Sequence, residues 1–149
     1  MKLSEHLDLS EIIRSDSAKR NGISNMPTPD HIENFKILAA KVFEPIREHF
    51  GVPIHISSGY RSVELNRLIK GSSSSEHCKG QAIDIDMDGT TITNKQVFDY
   101  IKDNLTFDQL INEFNYAWVH VSYKANGKQR GEILEAYKEG KATKYRLIK

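Results

Sequence analysis

His77, Asp84 and His120 are the residues in this chain whose types and spacing could do chemistry together. His77 lies in the polar stretch "SSSSEHCKG", just before the apolar run "AIDIDM". His120 lies between two valines in "AWVHVSY". Side chains alternate across a strand. If "AIDIDM" is a strand, Ile83, Ile85 and Met87 share one face, and Ala82, Asp84 and Asp86 share the other. In "AWVHVSY" the valines 119 and 121 oppose Trp118, His120 and Ser122. Pairing of the two strands would put Asp84 and His120 on one face, with His77 entering from the loop. Gly80, between them, permits a sharp change of direction.

Two imidazole nitrogens and one carboxylate oxygen are a donor set that zinc accepts, with a fourth position left for water, as in catalytic rather than structural sites. The same residues also fit a packed strand histidine and a solvated or lysine-paired aspartate, and spacing alone does not separate these readings. Cys78 adjoins His77 and is expected to point elsewhere. Asp86 shares the face of Asp84, where it could orient a ligating imidazole or simply be hydrated. His6, His31, His49 and His55 form no comparable set and read as surface or structural residues.

The elements that must position these groups follow from periodicity and capping. Ile32, Phe35, Ala39, Val42 and Ile46 form one apolar stripe, which predicts a helix from about Asp30 to Phe50. Thr28 and Pro29 suit its start and Gly51 its stop, and Pro45 interrupts its last turn. "VPIHISS" reads as a strand. Ser62 caps a helix carrying Val63, Leu65, Leu68 and Ile69, which Gly71 closes. Thr93 and Gln96 match a capping box ahead of a helix with Val97, Phe98, Ile101 and Leu105 inward. "FDQLINEF" and "AWVHVSY" read as strands, and the final stretch as a hairpin turning near Glu139 and Gly140. Helices precede most of the strands, so the expected class is α+β, with a small, largely antiparallel sheet packed by helices.

Length and composition bound the rest. The chain has 149 residues with 38% hydrophobic content, which suits a single domain over residues 1–149. A net charge of +1, from 21 basic and 20 acidic residues, gives no nucleic-acid footprint. One cysteine excludes an internal disulfide. The first twenty residues mix charges and lack an apolar core, and no run is long enough to insert into a bilayer. The protein is expected to stay in the cytoplasm until released by another route. A monomer is the expected state.

At these residues the chain resembles the zinc D-alanyl-D-alanine carboxypeptidase family. "SEHCKGQAID" fits the pattern S-x-H-x-x-G-x-A-x-D at Ser75, His77, Gly80, Ala82 and Asp84. "WVHVSY" is similar to the later strand carrying the last ligand, and "SSGYRS" is similar to a segment with a substrate-binding arginine. The likeness is nearest to small phage and prophage members. It implies a fold shared with lysostaphin-type peptidases and the hedgehog domain, and zinc held by His77, Asp84 and His120. It also implies hydrolysis of a peptide bond in the peptidoglycan stem peptide, by a D-Ala-D-Ala carboxypeptidase or L,D-type endopeptidase of endolysin type. Arg61 would grip a substrate carboxylate or carbonyl, and Ser75 would bind substrate or set the loop. Family members place a catalytic acid a few residues before the last ligand. Here the third residue before His120 is Ala117, a departure from that pattern; the candidate base is Glu113, with Asp108 second, and Glu113 equally fits an ordinary charge at a strand edge. Trp118 would wall the cleft or pack in the core. A non-catalytic zinc domain or a phage structural component are the alternative functions.

Overall fold

The computed structural model describes residues 1–148. Capping and side-chain alternation build its elements. Strands β1 (Lys2–Ser4) and β2 (Leu7–Asp8) form a small antiparallel pair, followed by α1 (Leu9–Ile13) and α2 (Asp16–Arg20). The expected long helix is continuous in space but has three parts. α3 (Pro29–Leu38) is capped by Thr28, a π-helical stretch spans Ala39–Phe43, and α4 (Glu44–Phe50) ends on left-handed Gly51. Pro45 accounts for the middle part. It has no N–H to return to the preceding turn. The helix widens instead, and the Glu44 N–H reaches back to the Ala39 carbonyl.

β3 (Ile56–Ser58), α5 (Val63–Leu68), a one-turn 3-10 helix (Glu76–Lys79) and β4 (Ala82–Ile85) come next. α5 ends one residue earlier than Gly71 would set it, with Lys70 in the left-handed region and the Gly71 N–H closing onto the Asn66 carbonyl. Then come α6 (Asn94–Asn104), β5 (Gln109–Glu113), β6 (Trp118–Ser122), β7 (Glu132–Glu139) and β8 (Ala142–Leu147). The capping box of Thr93 and Gln96 forms in full.

The main sheet runs β3-β4-β6-β5-β7-β8. Its pairs are antiparallel except β5 with β7, because the chain leaves β6 and returns on the far side of β5. Ile83, Ile85, Leu110, Val119 and Val121 point to one face, where Phe35, Val42, Ile46, Val97 and Ile101 bury them. Each apolar side chain so buried contributes roughly 1.5–3 kcal/mol. The architecture is α+β, with helices on one sheet face. The opposite face carries the polar members of the same strands.

Candidate active site

Register decides which residues meet. Asp84 pairs with His120 across β4 and β6, and His120 pairs with Ile111 across β6 and β5. In the next row, Trp118 pairs with Glu113. Facing residues share a face, so Asp84, His120, Trp118 and Glu113 occupy one surface opposite the helices.

His77 reaches that surface from the 3-10 turn, which two close approaches hold in place. Gly80 ends the turn at φ 76°, and a Cβ there would lie 2.4 Å from the His31 carbonyl oxygen. A Cβ on Gly59 would lie 2.6 Å from the Ile12 carbonyl oxygen. Glycine is required at both. Ser75 caps the turn, accepting the His77 N–H at 3.2 Å, and the Arg61 N–H donates to the His77 carbonyl at 3.3 Å.

His77 Nδ1–H donates to the Gly59 carbonyl at 2.7 Å, which directs Nε2 at the Asp84 carboxylate, 3.2 Å away. His120 Nδ1 lies 3.0 Å from the same oxygen, Oδ1. One donor atom from each of the three residues lies within 4.8 Å of the others. This arrangement fits a divalent ion. With Nδ1 donating, Nε2 of a neutral His77 is a lone pair aimed at an anion. Either a second proton on the ring or a cation between them relieves that opposition. Burial works against ionising Asp84, but the two imidazoles outweigh it and hold the carboxyl well below the usual carboxylate range.

Glu113 is 8% exposed beside this cluster. Burial pushes its pKa up to about 7; the nearby Asp84 charge adds to the rise, while His120 and Arg61 oppose it. Its position depends on an unusual turn. Phe114, Asn115 and Tyr116 all have positive φ, at 53°, 55° and 63°. Three such residues in succession are costly without glycine. Asn112 Oδ1 accepts the Tyr116 N–H at 2.6 Å, and Asn94 Nδ2 donates to the Tyr116 and Ala117 carbonyls at 3.0 and 3.1 Å. Ala117 itself donates its N–H to the Glu113 carbonyl at 2.9 Å.

Asp108, the second candidate base, is fully buried and its carboxylate is taken up by Arg130, at 3.0 and 2.7 Å from Nε and Nη2. Burial opposes its ionisation, but those bonds lower its pKa. Arg61 donates through Nη2 to Ser75 Oγ at 3.2 Å, and its Nε is buried without a partner. Trp118 lines the cleft and packs against Phe114, with ring centroids 5.4 Å apart. Asp86 accepts from Asn94 and from the Asp88 N–H rather than from a cluster imidazole. Cys78 stands outside the cluster. Spacing alone did not reveal the roles of Asn94 and Asn112. The one local signal for Asn94 is its place at the start of α6, directly after the Thr93 cap.

The cleft over these residues encloses about 790 Å³, bordered by Arg61, Ser75, Glu113, Trp118 and Lys124. A buried cluster of two imidazoles and a carboxylate, an acid of raised pKa one strand away and an open cleft above them are the parts of a metal-dependent hydrolase. The chain belongs to the peptidase M15 family, the zinc D-Ala-D-Ala carboxypeptidase-like family, whose model matches residues 5–122. Membership makes it a metallopeptidase by descent, and zinc is the ion typical of the family. No curated protein is similar enough to add to that assignment. Among the described residues, no helix is long and apolar enough to cross a membrane.

Proposed function

We propose that this chain is a zinc peptidase that hydrolyses a peptide bond in the peptidoglycan stem peptide, as a D-Ala-D-Ala carboxypeptidase or an L,D-type endopeptidase. The carrying observation is the convergence of His77, Asp84 and His120 beneath an open cleft, with Glu113 beside them. His77, Asp84 and His120 would hold the ion. Bound zinc supplies polarisation of the scissile carbonyl and a more acidic water.

The remaining chemistry belongs to the chain. Glu113 Oε accepts a proton from the attacking water and returns it to the leaving amine. Its pKa of about 7 makes both transfers feasible near neutrality. Arg61 presents a fixed fork beside the cleft, suited to a carboxylate or carbonyl oxygen of the peptide. Ser75 steadies that fork and the His77 turn at once. Trp118 and Ile111 give the cleft apolar surface on one side. An endolysin-type role follows this reading: a phage or prophage enzyme, held in the cytoplasm until released to the wall as a monomer.

Mass spectrometry of purified cell wall after digestion tests the proposal and identifies the bond. New stem-peptide termini with the zinc-loaded protein, and none with His120→Ala, are expected. An undigested wall with stoichiometric zinc bound would instead favour the non-catalytic zinc domain.

A further inference from the structure

The family match stops at residue 122, and β7 and β8 lie beyond it. Yet register carries the site face on into this hairpin. Glu113 pairs with Ala136 across β5 and β7, and Ala136 pairs with Tyr145 across β7 and β8. Trp118, Glu113, Ala136 and Tyr145 thus form one row on one face. The adjacent row runs from Asp84 through His120, Ile111 and Leu134 to Leu147.

Two strand spacings, roughly 10 Å, separate the backbones of Glu113 and Tyr145. Between them stands only the methyl group of Ala136, which is 1% exposed. The register puts the Tyr145 side chain on the site face, at the end of the row that holds Glu113 and just outside the residues that border the cleft. Tyr145 is 56% exposed, so an arriving molecule can reach it. Burial raises its pKa, and the charges of Glu113 and Asp84 raise it further. Nothing among the described hydrogen bonds occupies its hydroxyl.

We propose that Tyr145 is a substrate-contacting residue of the same cleft, supplied by the C-terminal hairpin: its hydroxyl donates a hydrogen bond to a carbonyl or carboxylate oxygen of an extended peptide lying across β5 and β7 on the Glu113 side. The apolar neighbours Leu134 and Leu147 form the floor under the next residue of that peptide. An extended chain suits this surface because its groups alternate at the same period as the sheet below. The assignment rests on the peptidase reading for the identity of the ligand, and it makes the hairpin part of the specificity apparatus.

The test compares the full chain with Tyr145→Phe, which removes only the hydroxyl. The probe is the synthetic stem pentapeptide L-Ala-γ-D-Glu-L-Lys-D-Ala-D-Ala. Calorimetry on zinc-free protein reads binding independently of turnover, and zinc-loaded protein gives kcat/KM. Loss of one hydrogen bond predicts a Kd about 3- to 10-fold higher. A parallel fall in kcat/KM is expected, with thermal midpoint and zinc stoichiometry unchanged. Tyr137→Phe, on the opposite face of the hairpin where Tyr137 stacks with Arg146 at 4.6 Å, should leave both readouts unaltered. Equal affinity in parent and Tyr145→Phe, or no detectable binding by the parent, overturns the proposal. Weakened binding without any cleavage by the zinc-loaded parent upholds Tyr145 and defeats the hydrolysis reading alone.

Discussion

Glu113 shows how one side chain acquires chemistry from its surroundings. In water its carboxyl would titrate near 4.5; in the folded chain burial lifts it to about 7. The folded state therefore holds this proton more tightly than the unfolded state. The stability that goes with it is fully present below the unfolded value and is lost as pH rises through about 7. Glu113→Gln cannot ionise and escapes that loss. In chelator-treated protein, thermal midpoints of parent and Glu113→Gln should nearly coincide at about pH 5. They should then separate by a few degrees in favour of Gln at about pH 8. A gap independent of pH would place the raised pKa elsewhere. In zinc-loaded protein the same substitution should keep the metal and lose turnover by about 100-fold or more, the usual scale of a general base.

Asn94 makes the corresponding point for an element. It begins α6, is 3% exposed, accepts the Met87 N–H at 2.7 Å, and donates to Asp86, Tyr116 and Ala117. One side chain thus ties the end of β4 to the left-handed turn between β5 and β6. Asn94→Ala would leave a buried N–H and two carbonyls without their partner. The expected cost is about 2–3 kcal/mol in denaturant unfolding, with a loss of turnover because Glu113 is anchored at that turn. Wild-type stability in this variant would show that the turn holds itself. The elements themselves differ in how plainly the sequence announced them. Thr28, Ser62 and Thr93 marked helix starts through local hydrogen bonds, and alternation in 82–87 and 118–122 sorted the ligand candidates from the core. The face shared by Asp84 and His120 followed from those two patterns. The strained run Phe114–Tyr116 did not follow, since it depends on Asn94 from a distant element, and Pro45 marked an interruption without showing that the helix would widen rather than break. β1, β2, α1 and α2 are too short for periodicity to reveal. The parallel pairing of β5 with β7, which brings Tyr145 into line, is a matter of tertiary register and leaves no local trace.

At the scale of the whole molecule, the cluster of His77, Asp84 and His120 joins parts far apart in the chain: the 3-10 turn, β4 and β6. An ion bound there holds all three together and adds stability by mass action, about 4 kcal/mol at a thousandfold excess over Kd. For a chain of this size each kcal/mol shifts the midpoint by roughly 2–4 °C, so zinc should raise it by about 10 °C over chelated protein. Differential scanning calorimetry with and without chelator measures this. The His120→Ala protein should lose most of the increment, and an increment that survived would mean the ion sits elsewhere.

The strand order has one more consequence. β6 lies inside the sheet, laddered on both sides, while β8 forms an outer margin whose residues are all exposed. Asp84 and His120 sit on adjacent inner strands, so fraying of an outer strand does not by itself part them. Tyr145, at the rim, can swing aside at little cost. An unyielding anvil and a pliant jaw are thus built into a single sheet, and amide exchange should proceed inward from the jaw.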